Sequence, residues 1–158
     1  MQRVITFLSK IKYRVPFFKL NSFLSKADDD FFFIQVGAND GKTGDPLFKF
    51  VKNKKLHGIL IEPVDYCFNT LVSNYKGCGV LKFINSSIAS KSGFKDFYYI
   101  KENTKNVPIW FKALGSFDKK IILKHKWADK DIEKYVKKEK VKYKKGKLLW
   151  LNERSFFL

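Results

Sequence analysis

Arginine is scarce in a chain that is otherwise strongly basic. Only Arg3, Arg14 and Arg154 occur, so lysine carries nearly all of the net charge of +17. Bidentate recognition of bases and phosphates favours the guanidinium fork, and composition therefore argues against a nucleic-acid partner. A lysine field of this size still suits anionic substrates or loose attachment to an acidic membrane surface. No uninterrupted apolar run approaches the roughly 18 residues needed to cross a membrane. Lys10, Lys12 and Arg14 interrupt any apolar core of a secretory signal, and the expected location is cytoplasmic.

Cysteine is limited to Cys67 and Cys78, which form no C-x-x-C pair and have no His or Cys cluster around them. Two reduced structural thiols are expected, and no metal site. The dinucleotide fingerprint G-x-G-x-x-G is missing too, because Gly37 is followed by Ala38 and Asn39. A pyrophosphate at the following helix start would also meet Asp45. Both points weigh against a nicotinamide-dependent oxidoreductase. There is no internal repeat.

What is present suits one globular domain. A chain of 158 residues hides roughly 70% of its unfolded surface on folding, and 45% hydrophobic with 17% aromatic residues supplies the core. The most informative segment is Phe31–Pro46, FFFIQVGANDGKTGDP, followed by Gly58–Pro63, GILIEP. An apolar run ends in a Gly-rich turn, a helix opens, and a second apolar run ends in a carboxylate. That order suits a cofactor carrying an adenosine: glycines admit the ligand, the helix start offers free N–H groups, and the acid accepts ribose hydroxyls. Gly41 to Glu62 is close to the roughly 20-residue interval between such a turn and such an acid.

Along the chain, Val4, Leu8, Ile11 and Val15 recur at helical spacing and Pro16 ends the pattern. This predicts an N-terminal basic helix lying on the domain, with a membrane-surface anchor as the alternative. Strands are expected at Phe31–Val36, Gly58–Ile61 and Val80–Ile84, the last running on towards Ala89. Asp45-Pro46 caps a helix burying Leu47, Phe48, Phe50 and Val51. Asp65 caps a second, carrying Phe68, Leu71, Val72 and Tyr75 and closed by Gly77. The pattern β-α-β-α-β is the first half of a doubly wound parallel sheet. Beyond it, Phe94–Ile100 reads as a strand paired antiparallel. Lys101–Gly115 reads as a loop with Pro108, Trp110 and Phe111 packing inward. A short strand is expected at Ile121–Leu123 and a helix at Asp129–Lys140, with Ile132, Tyr135 and Val136 on one face. Lys142–Leu158 shows no clear period.

These residues resemble the FkbM-type S-adenosylmethionine-dependent methyltransferases. The likeness rests on FFIQVGANDGKTGDP, ILIEP, LKFINSSIAS with its turn KSG, and FKDFYYI. It spans about Phe31–Val141. It implies a Rossmann-like class I methyltransferase fold and transfer of a methyl group to a hydroxyl oxygen of a sugar or secondary metabolite. By that resemblance Gly37, Ala38, Asn39 and Gly41 form the turn under the methionine and ribose portions of S-adenosylmethionine. Glu62 holds the ribose diol, and Asn85, Ser87 and Ile88 lie beside the adenine. No catalytic base is identified; His125 is a candidate, and His57 reads as a surface residue. Trp110, Phe111 and Trp127 are candidates for an acceptor pocket or for core.

Each residue also has a plainer reading. Gly37 and Gly41 serve tight turns in any α/β protein, Glu62 suits a solvated strand end, Asn85 an Asx turn, and Asp40 caps its own turn. Two departures stand out. Many class I methyltransferases carry an acid two residues before the first glycine, where this chain has Gln35, a hydrogen-bonding residue without charge for the cofactor's ammonium end. The acidic D-x-E-G-like segment of a fourth strand is also missing, and KYKKGKLLWLNERSFFL does not resemble the family. The expectation is an incomplete sheet: a basic helical segment at 1–30, a partial methyltransferase domain at 31–141, and a tail at 142–158. The alternative to an active enzyme is a truncated, non-catalytic remnant or a half that needs a partner. An incomplete parallel edge invites self-association.

Overall fold

The computed structural model describes residues 4–8, 22–27, 31–125 and 131–145. The chain divides into two compact units, Met1–Ser87 and Ile88–Leu158. In the first, strands β1 (Val4–Leu8), β2 (Phe32–Val36), β3 (His57–Ile61) and β4 (Leu81–Ile84) form one sheet in that order. Every pairing in it is parallel. Helices α1 (Leu47–Lys54) and α2 (Asp65–Asn74) make the crossovers that parallel strands require.

Register decides what each face holds. Phe33 pairs with Gly58 and Gln35 with Leu60, so these four share a face. There Phe33 and Leu60 pack with Leu47 and Val51 of α1 and with Leu71 of α2. Both helices therefore cover the same face, as right-handed crossovers stepping in one direction demand. Gly58 is required in this layer, since a Cβ would lie 2.4 Å from the Phe33 ring. Ile34, Ile59 and Ile61 on the opposite face are buried as well. The continuous apolar runs thus mark strands covered on both sides. Each fully buried Leu or Val here contributes about 1.5–3 kcal/mol by its removal from water.

The second unit is built on a mixed-order sheet, β5-β8-β6-β7, of β5 (Ser87–Ala89), β6 (Gly93–Ile100), β7 (Gly115–Ser116) and β8 (Val136–Lys145). Strand β6 runs antiparallel to both neighbours. Short helices α3 (Ile109–Lys112) and α4 (Lys119–Leu123) and a 3-10 turn at Glu133–Tyr135 complete it. Its core is Ile100, Phe111, Ile122 and Ile132, flanked by Tyr98, Leu114, Tyr135 and Val136.

Several expectations need correction. Val4–Leu8 is a strand paired with β2, not part of an N-terminal helix. VITFL is rich in β-branched and aromatic residues, and pairing with a buried strand outweighs a helical spacing; residues 9–21 lie outside the described residues. Ile121–Leu123 is helical, because the Asp118 side chain accepts the Lys120 amide at 2.9 Å and caps the turn. The helix expected over Asp129–Lys140 is instead the 3-10 turn followed by β8. Ile132, Tyr135 and Val136 do face one core, but eight residues of β6 offer β8 a complete antiparallel partner. Residues 126–130, including Trp127, and the tail beyond 145 fall outside the described residues. The third strand stops at Ile84, and Ser87–Ala89 joins the second sheet. Phe111 is fully buried, whereas Trp110 is 49% exposed. In α2 the capping position is Val64, and Asp65 opens the first turn.

Candidate functional site at the carboxyl ends of β2 and β3

The sheet delivers the ends of β2 and β3 side by side, and the turn after β2 folds over the end of β3. The amides of Gly37 and Ala38 both donate to the Ile61 carbonyl, at 2.9 and 3.1 Å. Three residues of this turn take left-handed backbone angles, Gly37 at φ +74°, Asn39 at +53° and Gly41 at +69°. Glycine adopts that region without cost and Asn tolerates it better than most residues. The turn is thereby aimed at the next residue of β3's exit, Glu62.

Glu62 is buried and braced by two backbone donors. Asn39 N donates to Oε2 at 2.8 Å and Val64 N to Oε1 at 3.0 Å. Burial pushes its carboxyl up to about 7, against the opposing pull of the Val64 and Asn39 amides. A carboxylate offers about four acceptor sites, so the two amides leave acceptor capacity for further donors. A solvated strand end would look different.

Gly41 has a packing role. A Cβ on it would sit 2.3 Å from Leu71 Cδ1 and 2.4 Å from Tyr75 Cε2. The turn lies directly on α2, and the Asn74 side-chain amide donates to the Asp40 carbonyl at 2.8 Å. Asp40 caps its own turn, its Oδ1 accepting the amides of Lys42 at 2.9 Å and Thr43 at 2.8 Å. Burial raises its pKa, but these bonds and the Lys42 charge outweigh it and hold the carboxyl below its ordinary value.

Beside the turn lies a cluster that the local sequence does not announce. Asp45 Oδ1 accepts the Leu47 amide at 2.8 Å and so starts α1, while Oδ2 accepts Gln35 Nε2 at 3.0 Å. Tyr75 Oη donates to the same Oδ2 at 3.4 Å. Burial raises the Asp45 carboxyl above its ordinary value despite these bonds. Gln35 Oε1 is left buried without a hydrogen-bond partner. The acid absent at position 35 is thus present one hydrogen bond away, at Asp45.

The remaining candidates are dispersed. Asn85 is exposed and its amide donates to Asp65 Oδ1 at 2.5 Å, so it ties the end of β4 to the start of α2. Ser87 is buried with its Oγ unpartnered, and Ile88 is half-buried. His57 opens β3, about 17 Å of strand from Glu62 at roughly 3.3 Å per residue. His125, in the second unit, is exposed with its ring 6.1 Å from that of Trp110. Cys67 and Cys78 are buried thiols. Among the described residues, no three His, Cys, Asp or Glu side chains gather as metal ligands. No described helix is long and apolar enough to cross a membrane.

Compared with family models, curated proteins and solved structures, the chain matches none of them.

Proposed function

We propose that the Met1–Ser87 unit binds S-adenosylmethionine at the carboxyl ends of β2 and β3. In this reading the unit is the cofactor half of a Rossmann-like methyltransferase acting on a hydroxyl of a small-molecule or glycan acceptor. The observation that carries the proposal is the buried Glu62 carboxylate, held by the Asn39 amide against the turn after β2. Open α/β sheets bind ligands outside the carboxyl ends of their strands, and an acid fixed there with unused lone pairs fits a ribose diol.

The other residues are assigned by the same logic. Gly37 is exposed at the turn and gives a ligand access to the backbone. Gln35 is anchored through Nε2 on Asp45, and its buried, unpartnered Oε1 is assigned as an acceptor for the cofactor's ammonium. Asn85 and Ser87 follow β4 and are assigned to the adenine, whereas Ile88 opens the second unit. When bound, the sulfonium supplies an activated methyl group. The chain's task is then to hold the cofactor, align an acceptor oxygen and exclude water.

A second reading has its own support. Both Glu62 oxygens receive backbone amides and the residue is buried, which also suits a purely structural brace in a folded remnant without chemistry. Calorimetric titration of the full chain with S-adenosylmethionine separates the two. Micromolar binding that weakens roughly ten-fold or more in Glu62→Gln, by loss of a charged acceptor, supports the cofactor site. An absence of heat from a folded, monodisperse sample sinks it.

A further inference from the structure

We infer that one face of the second sheet is a docking surface for single-stranded nucleic acid. Strand β8 reads VKKEKVKYKK, and its alternate residues Lys138, Lys140 and Lys142 fall on one face. The antiparallel register sets them opposite Tyr98, Asp96 and Phe94 of β6, and opposed residues in such a pair share a face. The Lys138–Asp96 ion pair at 3.4 Å, along the diagonal, fits that placement. All three lysines are exposed, and so is Phe94, at 69%. Both faces are partly covered: Phe97, Tyr99 and Val141 are buried on the other, and on this one Ile100 is buried with Tyr98 and Val136 packed on the second unit's core, so the open stretch runs from Lys138 to Lys142.

Lysines on a strand commonly guard a free edge against pairing with another chain. That explanation covers only part of the row, because β8 runs between β5 and β6 and the three residues of β5 pair a stretch of its outer side. The row is a rail of charge with about 6.8 Å between successive lysines, two strand residues at ~3.4 Å each. An extended polyanion can follow such a rail. Phe94, directly across from Lys142, adds an exposed ring on which a base can stack. A positively charged groove beside a ring that stacks a base is the combination that sequence-tolerant single-strand binders use. The scarcity of arginine weighs against bidentate base readout and leaves this mode untouched. An acidic lipid surface would feel the same charge, but one exposed Phe beside a carboxylate offers little apolar area for insertion. The inference is independent of the cofactor site.

Fluorescence anisotropy of the full chain with a labelled 12-nucleotide oligothymidylate over a salt series tests it. Phosphatidylserine vesicles are titrated in parallel. Lys140→Ala with Lys142→Ala should lower the salt slope by about 1.4, at ~0.7 per phosphate contact. Phe94→Ala should weaken binding roughly 5- to 150-fold, the loss of one stacked base, and leave the slope unchanged. The control pair Lys49→Ala with Lys52→Ala, exposed residues of α1, should change neither. Equal losses in the control pair overturn the assignment, because net charge alone would then explain binding. It also falls if vesicles bind while the oligonucleotide does not, or if neither binds.

Discussion

The Asn39 amide donates to Glu62 Oε2 at 2.8 Å, closing a loop of 23 residues. It joins the turn after β2 to the exit of β3, the two places where an α/β sheet presents ligand-binding groups. Two opposing effects meet at this carboxyl. Backbone donors favour the anion and burial favours the neutral acid, and burial wins, with the pKa raised from 4.5 to about 7.

A pH dependence of stability follows. The unfolded chain releases this proton near 4.5, whereas the native protein keeps it to about 7. Between those values the native state binds more protons, so stability falls as pH rises. The contribution of Glu62 is full below 4.5 and lost above about 7, amounting to about 3 kcal/mol at ~1.4 kcal/mol per unit. Urea unfolding of wild type and Glu62→Gln at pH 4.5, 6 and 7.5 isolates it. Wild-type stability minus that of Glu62→Gln should fall by about 3 kcal/mol across that window. A constant difference would mean that Glu62 titrates like a solvated acid.

The glycines of the turn should separate by what surrounds them. Gly41 and Gly44 share a φ of +69°, but a Cβ at Gly44 meets nothing within 4 Å while one at Gly41 strikes Leu71 and Tyr75. Gly44→Ala should cost only the left-handed backbone strain, about 1–2 kcal/mol. Gly41→Ala adds overpacking of about 1–3 kcal/mol. Denaturant midpoints measure both. Equal costs would show that turn conformation alone requires glycine at 41.

From Phe31 to Ile84 the fold was legible because each element carries its own signal. FFFIQV is a run too apolar for a half-exposed strand, Asp45-Pro46 marks a helix start, and Gly77, at φ +77°, follows the second helix. Legibility failed where long-range pairing chose between local options. Val4–Leu8 satisfies a helical spacing and a strand composition alike, and a partner beginning at Phe32 decided it. Ile132, Tyr135 and Val136 have the spacing of a helix face, yet β8 is drawn out against β6. In the site, the turn and Glu62 could be read from order and interval. The Gln35–Asp45–Tyr75 cluster could not, since its bonds join residues 10 and 30 positions apart and leave no local pattern.

The adjacent aromatics Trp110 and Phe111 should behave as opposites. Phe111 is fully buried against Ile100, Ile122 and Ile132, so Phe111→Ala opens a cavity costing about 3–5 kcal/mol. Trp110 is 49% exposed and touches the Phe111 ring edge-on, with centroids 5.8 Å apart. Its replacement by Ala should cost less than about 1 kcal/mol, as for surface positions. Thermal unfolding of the two variants checks the contrast, and similar losses would place Trp110 in the core after all.

Cofactor affinity should carry the signature of the same carboxyl that governs the pH dependence of folding. Ribose hydroxyls donate best to an ionised acid, and in the ligand-free protein Glu62 is half protonated near pH 7. Binding of S-adenosylmethionine must then release a proton below that pH. Requiring the ionised form weakens the affinity about ten-fold between pH 8 and pH 6, as a single titrating group at that pKa dictates. Titrations at both pH values, each in two buffers of different ionisation enthalpy, read the affinity and the proton count together. Glu62→Gln should bind weakly at both, with no proton released. If wild-type affinity is flat with pH while binding persists, the ribose lies elsewhere and Glu62 serves only to brace the turn.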